Sequence, residues 1–495
     1  MGAASLADPD AFFAAGIDLL RGDRPEQLFD RARIAARRHG ADARMQQLLG
    51  LTARALGQSR VALDAFGRAA RLAPADALIA HSHARAALEA GRPAVALFDR
   101  AARLAPADGS VLMGRAAAQV AEGLADQAIA DLDAVVQKNP LWMDGQRALA
   151  RLRGQQGLDP AGVVVAALRR LPRQTELHRE CIAIHLEARD LDAAQAAVDA
   201  AARTVGEAAW LTTVAAHVAS ERGAVAEADR LFDVLGAPGR IDLAAQRVRH
   251  LIRAERPVDA ARLIDDWIDR DDERLLWPYR SLAWRMTGDP RWQWLEGDAA
   301  LVGCHDLAPA LGDLGEIADH LRRLHAARAA PLDQSVRGGT QTDGHLLLRD
   351  EPIIDRLRSA ISAAVAAYVA QLPPPRPGHP TLPIGRAPIR FAGAWSVRLE
   401  GEGFHTDHVH SQGWISSALY IALPETSPEG AARHEGWLSL GEARDLVPGL
   451  APLRLIEPRP GRLVLFPSTM WHGTRPFPAG ERLTVAFDIA RPPQG

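Results

Sequence analysis

Cysteine is nearly absent from this 495-residue sequence, with only Cys181 and Cys304 present. Two thiols exclude a disulfide framework and a cysteine-rich zinc site, and they fit a reducing compartment. Charge of one sign is also lacking. The formal net charge is −3, which gives no electrostatic case for nucleic acid or an anionic membrane. No run approaches the ~18 uncharged apolar residues of a membrane span. Met1 to Phe13 holds no basic patch followed by an apolar core, so no secretory signal is expected there. The expected setting is the cytoplasm. The balance of 47% hydrophobic and 24% charged residues is that of a globular protein, and the length suits two or three domains.

The first pattern present is repetition. Residues 65–76 and 97–108 match at ten of twelve positions with an offset of 32. A turn residue between two Ala/Leu-rich runs recurs at Gly57, Gly91, Gly123, Gly157, Arg189, Gly223, Arg256 and Gly288, after a first instance at Gly22. The intervals from Gly57 onward are 34, 32, 34, 32, 34, 33 and 32. Such a period accommodates two short helices and two turns, with Gly supplying the turn conformation. Pro74, Pro106 and Pro140 fall where the second helix must end. One helix pair cannot bury its apolar face alone, so stacked neighbours must form the core. Over about residues 10–290 the chain resembles tetratricopeptide repeats. The turn glycines, the Ala-rich second helix and the following proline carry that resemblance. The consensus aromatics are mostly missing, and arginine replaces glycine in two turns.

Residues 291–330 read as a helical bridge, with Trp292, Trp294, Leu307 and Leu311 packing. Gln334 to Thr342 is polar and Gly-rich and reads as a loop. A helix is expected around Ile354, Leu357, Ile361, Val365 and Tyr368. Residues 371–388 hold seven prolines in eighteen positions, which suits an extended connector. From Ile389 the texture changes to alternating, Val- and aromatic-rich runs at 389–399, 414–423, 461–466 and 482–489, each a strand signal. The fold class expected is multidomain α + β, a helical-repeat superhelix followed by a β-sandwich or barrel.

Two segments carry chemistry. Residues 403–420 contain His405, Asp407, His408 and His410; residues 460–484 contain His472, Arg482 and Thr484. Histidines at i and i+2 of a strand point to one face. A third imidazole from a distant strand closes a facial set, and imidazole suits Fe, Zn, Cu or Ni. Arg482 and Thr484 share a strand face. A guanidinium with a nearby hydroxyl can hold the far carboxylate of a 2-oxo diacid whose other end chelates the metal.

In order and spacing these pieces resemble the 2-oxoglutarate-Fe(II) oxygenases of the double-stranded β-helix fold. The closer likeness is to bacterial and phage oxygenases reading H-x-H, I-S-(G/S)-x-x-Y, then G-x-L-x-x-F-P, H, P and R-x-(S/T). Here these are His408-Val-His410, Ile415 to Tyr420, Gly461 to Pro467, His472, Pro476 and Arg482-Leu-Thr484. The resemblance covers about residues 330–492. It implies a jelly-roll barrel with Fe(II) on His408, His410 and His472. It also implies 2-oxoglutarate on Arg482 and Thr484, with Tyr420 near the co-substrate or in the core, and O2 as oxidant. His405-Thr-Asp407 is an H-x-D, the pattern of the wider superfamily. Residues 405 and 407 face opposite to 408 and 410 on a regular strand. A His405/Asp407 pair, or a mixed set using Asp407, therefore stays open. His345, His379 and His434 read as ordinary surface or core residues, and Trp414, Trp471 and Phe466 as core.

The expected domains are repeats over 10–290, a bridge over 291–330, and an oxygenase-like domain over 331–495 with its barrel core at 389–492. The resemblance implies a hydroxylase, and the repeats suggest a peptide or protein partner. Two alternatives remain: a three-His dioxygenase acting on a small molecule without 2-oxoglutarate, and a repeat scaffold with an inactive barrel.

Overall fold

The computed structural model describes residues 8–206, 208–332, 334–425 and 428–493. The first seven residues of the stretch read for a secretory signal lie outside them. Helices follow one another from Pro9–Arg21 to Trp277–Thr287. The turn series has a single physical cause. The residues at 57, 91, 123, 157, 189, 223 and 288 all take left-handed backbone, including Arg189 with φ 59°. Each is followed by an N–H that closes on a carbonyl five residues back, such as Gln58 N to Ala53 O at 2.8 Å and Asp190 N to His185 O at 2.9 Å. This closure satisfies orphan carbonyls at the helix end. Arg256 is the donor of that bond rather than the left-handed residue, which is Glu255. At the first turn Asp23, not Gly22, takes the left-handed conformation. Pro74, Pro106 and Pro140 each fall two residues past the end of a helix, at Leu72, Leu104 and Lys138 respectively.

The chain divides into two compact units, Met1–Asn139 with Asp343–Arg358, and Pro140–Thr342 with Ser359–Gly495. In the first, Asp350 anchors its segment on the repeat turns. Its carboxylate takes Arg60 at 2.6 Å and Arg92 at 2.9 Å.

The second unit holds the later helices and all nine strands found among the described residues. These are β1 (Gly303–Asp306), β2 (Val336–Gln341), β3 (Phe391–His405), β4 (Gly413–Ala422), β5 (Leu438–Leu440), β6 (Arg454–Ile456), β7 (Arg462–Pro467), β8 (His472–Thr474) and β9 (Glu481–Ala490). The larger sheet is antiparallel in the order β1-β7-β4-β9-β3-β2, and the smaller is β6-β5-β8. Among the described residues the two sheets do not close into a barrel.

Two segments differ from their expected structure. Gly303–Asp306, within the stretch read as helical, is β1 and pairs with β7. The stretch read as a loop contains β2, which pairs with β3. Its glycines serve close approach, since a Cβ at Gly339 would sit 2.2 Å from the Arg398 carbonyl oxygen. The expected helix is Pro352–Gln371, and Ile354, Leu357, Ile361, Val365 and Tyr368 are all buried.

Later repeats and sheets share one core. Val248, Ile252, Ile264 and Leu282 of the helices pack with Ala443, Leu446 and Trp471. The Trp471 indole N–H donates to the Pro278 carbonyl at 3.1 Å.

A half-buried histidine and a buried one give this unit an acid liability. His325 bonds Thr340 of β2 and Ser396 of β3, and burial pushes its pKa down to about 4. His379 bonds the Trp294 carbonyl and is likewise pushed down to about 4 by burial. Both are neutral when folded, whereas the unfolded chain takes up protons near 6.5. Stability is therefore complete above pH ~6.5 and falls as pH drops toward ~4. Urea midpoints measured across that range should decline, and less steeply in His379→Gln. An equal slope in that variant would contradict the assignment.

Candidate metal centre

The three histidines reach one point by different routes. β3 ends at His405, and the chain then leaves the larger sheet, so His408 and His410 lie in an extended segment outside any named strand. His408 and His472 exchange backbone bonds, His408 N to His472 O at 2.9 Å and His472 N to His408 O at 3.0 Å. His410 N donates to Ser468 O at 2.9 Å. The ring centroids of 408 and 472, 408 and 410, and 410 and 472 are 4.1, 5.0 and 5.2 Å apart. One nitrogen from each lies within 4.8 Å of the others.

Each ring is held by its other nitrogen. His408 Nδ1 is 2.8 Å from Thr406 O, and His472 Nδ1 is 3.0 Å from Met470 O. His410 Nδ1 is 2.5 Å from Asp488 Oδ2. A carbonyl only accepts, so Nδ1 of His408 and His472 carries the proton and Nε2 keeps its lone pair. Burial, then neighbouring imidazoles, pushes His408 down to about 3 and His472 well below its ordinary value. Three imidazoles, each oriented by a bond at Nδ1, fit a divalent transition metal.

His405 and Asp407 are placed differently. The Asp407 carboxylate takes Arg444 Nη2 at 2.6 Å, Nε at 2.7 Å and the Arg444 backbone N–H at 2.8 Å. A Cβ on Gly473 would lie 2.2 Å from Asp407 Oδ1, so the glycine after His472 makes room for this carboxylate. His405 lines the same cavity as the three histidines, with Nδ1 3.0 Å from Ser335 Oγ. Ser335 Oγ is also 3.2 Å from His408 Nε2. Asp407→Asn should therefore lower stability by about 1–3 kcal/mol through the lost charged bonds to Arg444 while metal binding persists. Metal lost from a folded Asp407→Asn would make Asp407 a ligand.

The cavity opens to solvent, and about 590 Å³ of space lies within it and its mouth. Arg482, Thr484, Ala486 and Asp488, alternate residues of β9, all line it. Arg482 is 2% exposed. It forms no ion pair with any described residue, and its Nε has no hydrogen-bond partner. Its Cζ lies 5.0 Å from the Tyr420 ring centroid. Burial lowers its pKa, with Tyr420 opposing. Tyr420 is fully buried among Leu438, Leu440, Val464 and Phe466 and stands opposite Thr484 in the β4–β9 register. Phe466 is core and also lines the cavity, edge-on to His472 at 4.8 Å. Trp414 is core, its N–H bonded to Thr381 O.

Residues 393–488 match the family model described as "Putative 2OG-Fe(II) oxygenase". The C-terminal region carries a domain of that family, behind an array of tetratricopeptide-like helix pairs. No curated protein matches the chain. Among solved structures, a prolyl-4-hydroxylase of Pseudomonas putida is 18% identical, covering 39% of this chain and 94% of its own, with a TM-score of 0.27. HygX of Streptomyces hygroscopicus, solved with nickel and 2-oxoglutarate bound, is 15% identical, covering 38% and 82%, with a TM-score of 0.27. A tetratricopeptide repeat protein of Parabacteroides merdae is 15% identical, covering 47% and 93%, with a TM-score of 0.30.

Sequence reading missed several cavity residues. Asp488 was legible in principle, since it continues the alternation of Arg482 and Thr484. Trp395, stacked on His410 at 5.9 Å, and Ser335 gave no such signal. Nor did Arg444, which binds Asp407 from 37 residues away.

Proposed function

We propose that this protein is an Fe(II)- and 2-oxoglutarate-dependent dioxygenase that hydroxylates a peptide or protein substrate recruited by its repeats. The observation that carries this reading is the buried Arg482 guanidinium, which no described carboxylate pairs, in the cavity that holds three metal-competent imidazoles. A buried charge without a partner costs several kcal/mol, so it calls for an anion.

His408, His410 and His472 would hold the iron through Nε2. Arg482 would take the far carboxylate of 2-oxoglutarate in a bidentate pair, with the Thr484 hydroxyl adding a bond. When bound, iron with 2-oxoglutarate and O2 supplies the oxidation, in which 2-oxoglutarate gives succinate and CO2 and the substrate gains one oxygen atom. The protein's own part is positioning. Thr406, Met470 and Asp488 fix the three rings, while Phe466, Val397 and Leu438 give the cavity apolar walls.

Support for recruitment by the repeats is local. Gln334 and Ser335 line the cavity. They continue a segment whose Arg328 and Ala329 N–H groups bind Gln155 O beside a repeat turn. Arg189 of the next turn lies 3.5 Å from Asp445. We assign repeats to 10–290, a bridge to 291–330 that lends β1, and the oxygenase to 331–495. The free thiols of Cys181 and Cys304 support a cytoplasmic setting. No helix among the described residues is long and apolar enough to cross a membrane.

A three-His set without a carboxylate also suits a dioxygenase that oxidises a small molecule directly. The two readings separate on one assay. Purified protein with Fe(II), 2-oxoglutarate and O2 should release succinate, and faster with substrate. Bound iron without any succinate would favour the direct dioxygenase, and failure to bind metal would favour a scaffold.

A further inference from the structure

The three imidazoles are not held alike. Two rest on neutral carbonyls, of Thr406 and Met470, and the third rests on a carboxylate, Asp488. That carboxylate is fixed on both sides. Oδ2 takes His410 Nδ1, and Oδ1 takes the Ser416 hydroxyl at 2.6 Å. Ser416 stands opposite Asp488 in the β4–β9 register and also bonds Ser468 Oγ at 2.9 Å. Asp488 forms no salt bridge with any described arginine or lysine; its Oδ2 faces His410 Nδ1 alone among the described ring nitrogens. The Asp407 carboxylate, by contrast, is neutralised by Arg444.

We propose that Asp488 is a positioning residue that supplies, one imidazole removed from the metal, the negative charge that a three-histidine set lacks. This rests on His408, His410 and His472 being the metal ligands. A carboxylate on the far nitrogen fixes the tautomer and raises the basicity of the ligating nitrogen. Carbonyls fix the tautomer of the other two rings but add no charge. The site thus carries one strongly donating imidazole, His410, beside two ordinary ones. Asp488 is thereby placed to tune both the affinity for the metal and its reduction potential.

Asp488→Asn tests charge apart from shape, because asparagine retains an oxygen that can accept from His410 Nδ1. The experiment is anaerobic titration of the metal-free full-length chain with Co(II) and Fe(II), with melting curves as the fold control. Asp488→Asn is expected to raise the metal Kd roughly 10- to 100-fold, the usual effect of removing such a partner. It should also shift the visible Co(II) spectrum and raise the Fe(III)/Fe(II) potential, which a merely structural residue would not do. Ser416→Ala, which loosens the carboxylate without removing its charge, should weaken binding by a smaller factor. A folded Asp488→Asn with wild-type affinity, spectrum and potential would overturn the inference while leaving the metal site standing. If that variant does not fold, wild-type affinity and spectrum in Ser416→Ala would overturn it. Wild-type protein that binds neither metal would sink the ligand assignment itself.

Discussion

Arg482→Met should raise the Kd for 2-oxoglutarate by roughly 30- to 4,000-fold, because truncating one partner of a buried charged pair costs about 2–5 kcal/mol. The same change should leave the protein without 2-oxoglutarate as stable as wild type, or more so. The two effects have opposite signs for one reason. In the free protein the guanidinium is buried without a counter-ion among the described residues. Its contact with the Tyr420 ring returns about 0.5–2 kcal/mol, less than the several kcal/mol of desolvation. Methionine fills similar space and removes that penalty. Calorimetric titration with 2-oxoglutarate in the presence of Fe(II), with melting curves beside it, measures both. A clear loss of stability with unchanged 2-oxoglutarate affinity would make Arg482 a structural residue.

Trp471→Ala should lower stability by about 3–5 kcal/mol, the cost of emptying a large core site, and should weaken metal binding as well. The indole is buried against the last repeat helices and bonded to Pro278 O. The next residue is His472. Arg285 of the same helix reaches the Gly441 and Ala451 carbonyls, so the smaller sheet is fastened to the repeats at several points. Trp471→Phe retains most of the apolar contact and should fall between wild type and Ala on both measures. Denaturant unfolding and a Co(II) titration of the three proteins suffice. Full metal affinity in a destabilised Trp471→Ala would show that the repeats do not brace the ligand.

How much of this was legible in the sequence follows from what each feature depends on. The helix turns were legible because glycine adopts left-handed backbone at little cost. Where Arg189, Glu255 and Asp23 take that conformation, the spacing had to carry the reading, and it slipped by one residue at the last two. β1 and β2 were not legible. Short edge strands owe their pairing to distant partners, here residues 462–465 and 397–405, and no local periodicity announces them. The H-x-H and the later histidine were visible. The features that set the H-x-D apart were not, since they are the chain leaving the sheet after His405 and Arg444 binding Asp407. Both are long-range facts. Arg482 could be placed on its strand face from alternation alone, but its lack of a counter-ion shows only in three dimensions.

Anaerobic titration of the protein with Fe(II), with and without 2-oxoglutarate, tests the central claim most directly. The signal is the visible charge-transfer band of a 2-oxoglutarate chelate on iron, read in wild type, His408→Ala and His405→Ala. The expected result is a band in wild type, lost in His408→Ala and retained in His405→Ala. Bound iron with no band in wild type would contradict the 2-oxoglutarate mechanism, and loss only in His405→Ala would move the metal to the other pair.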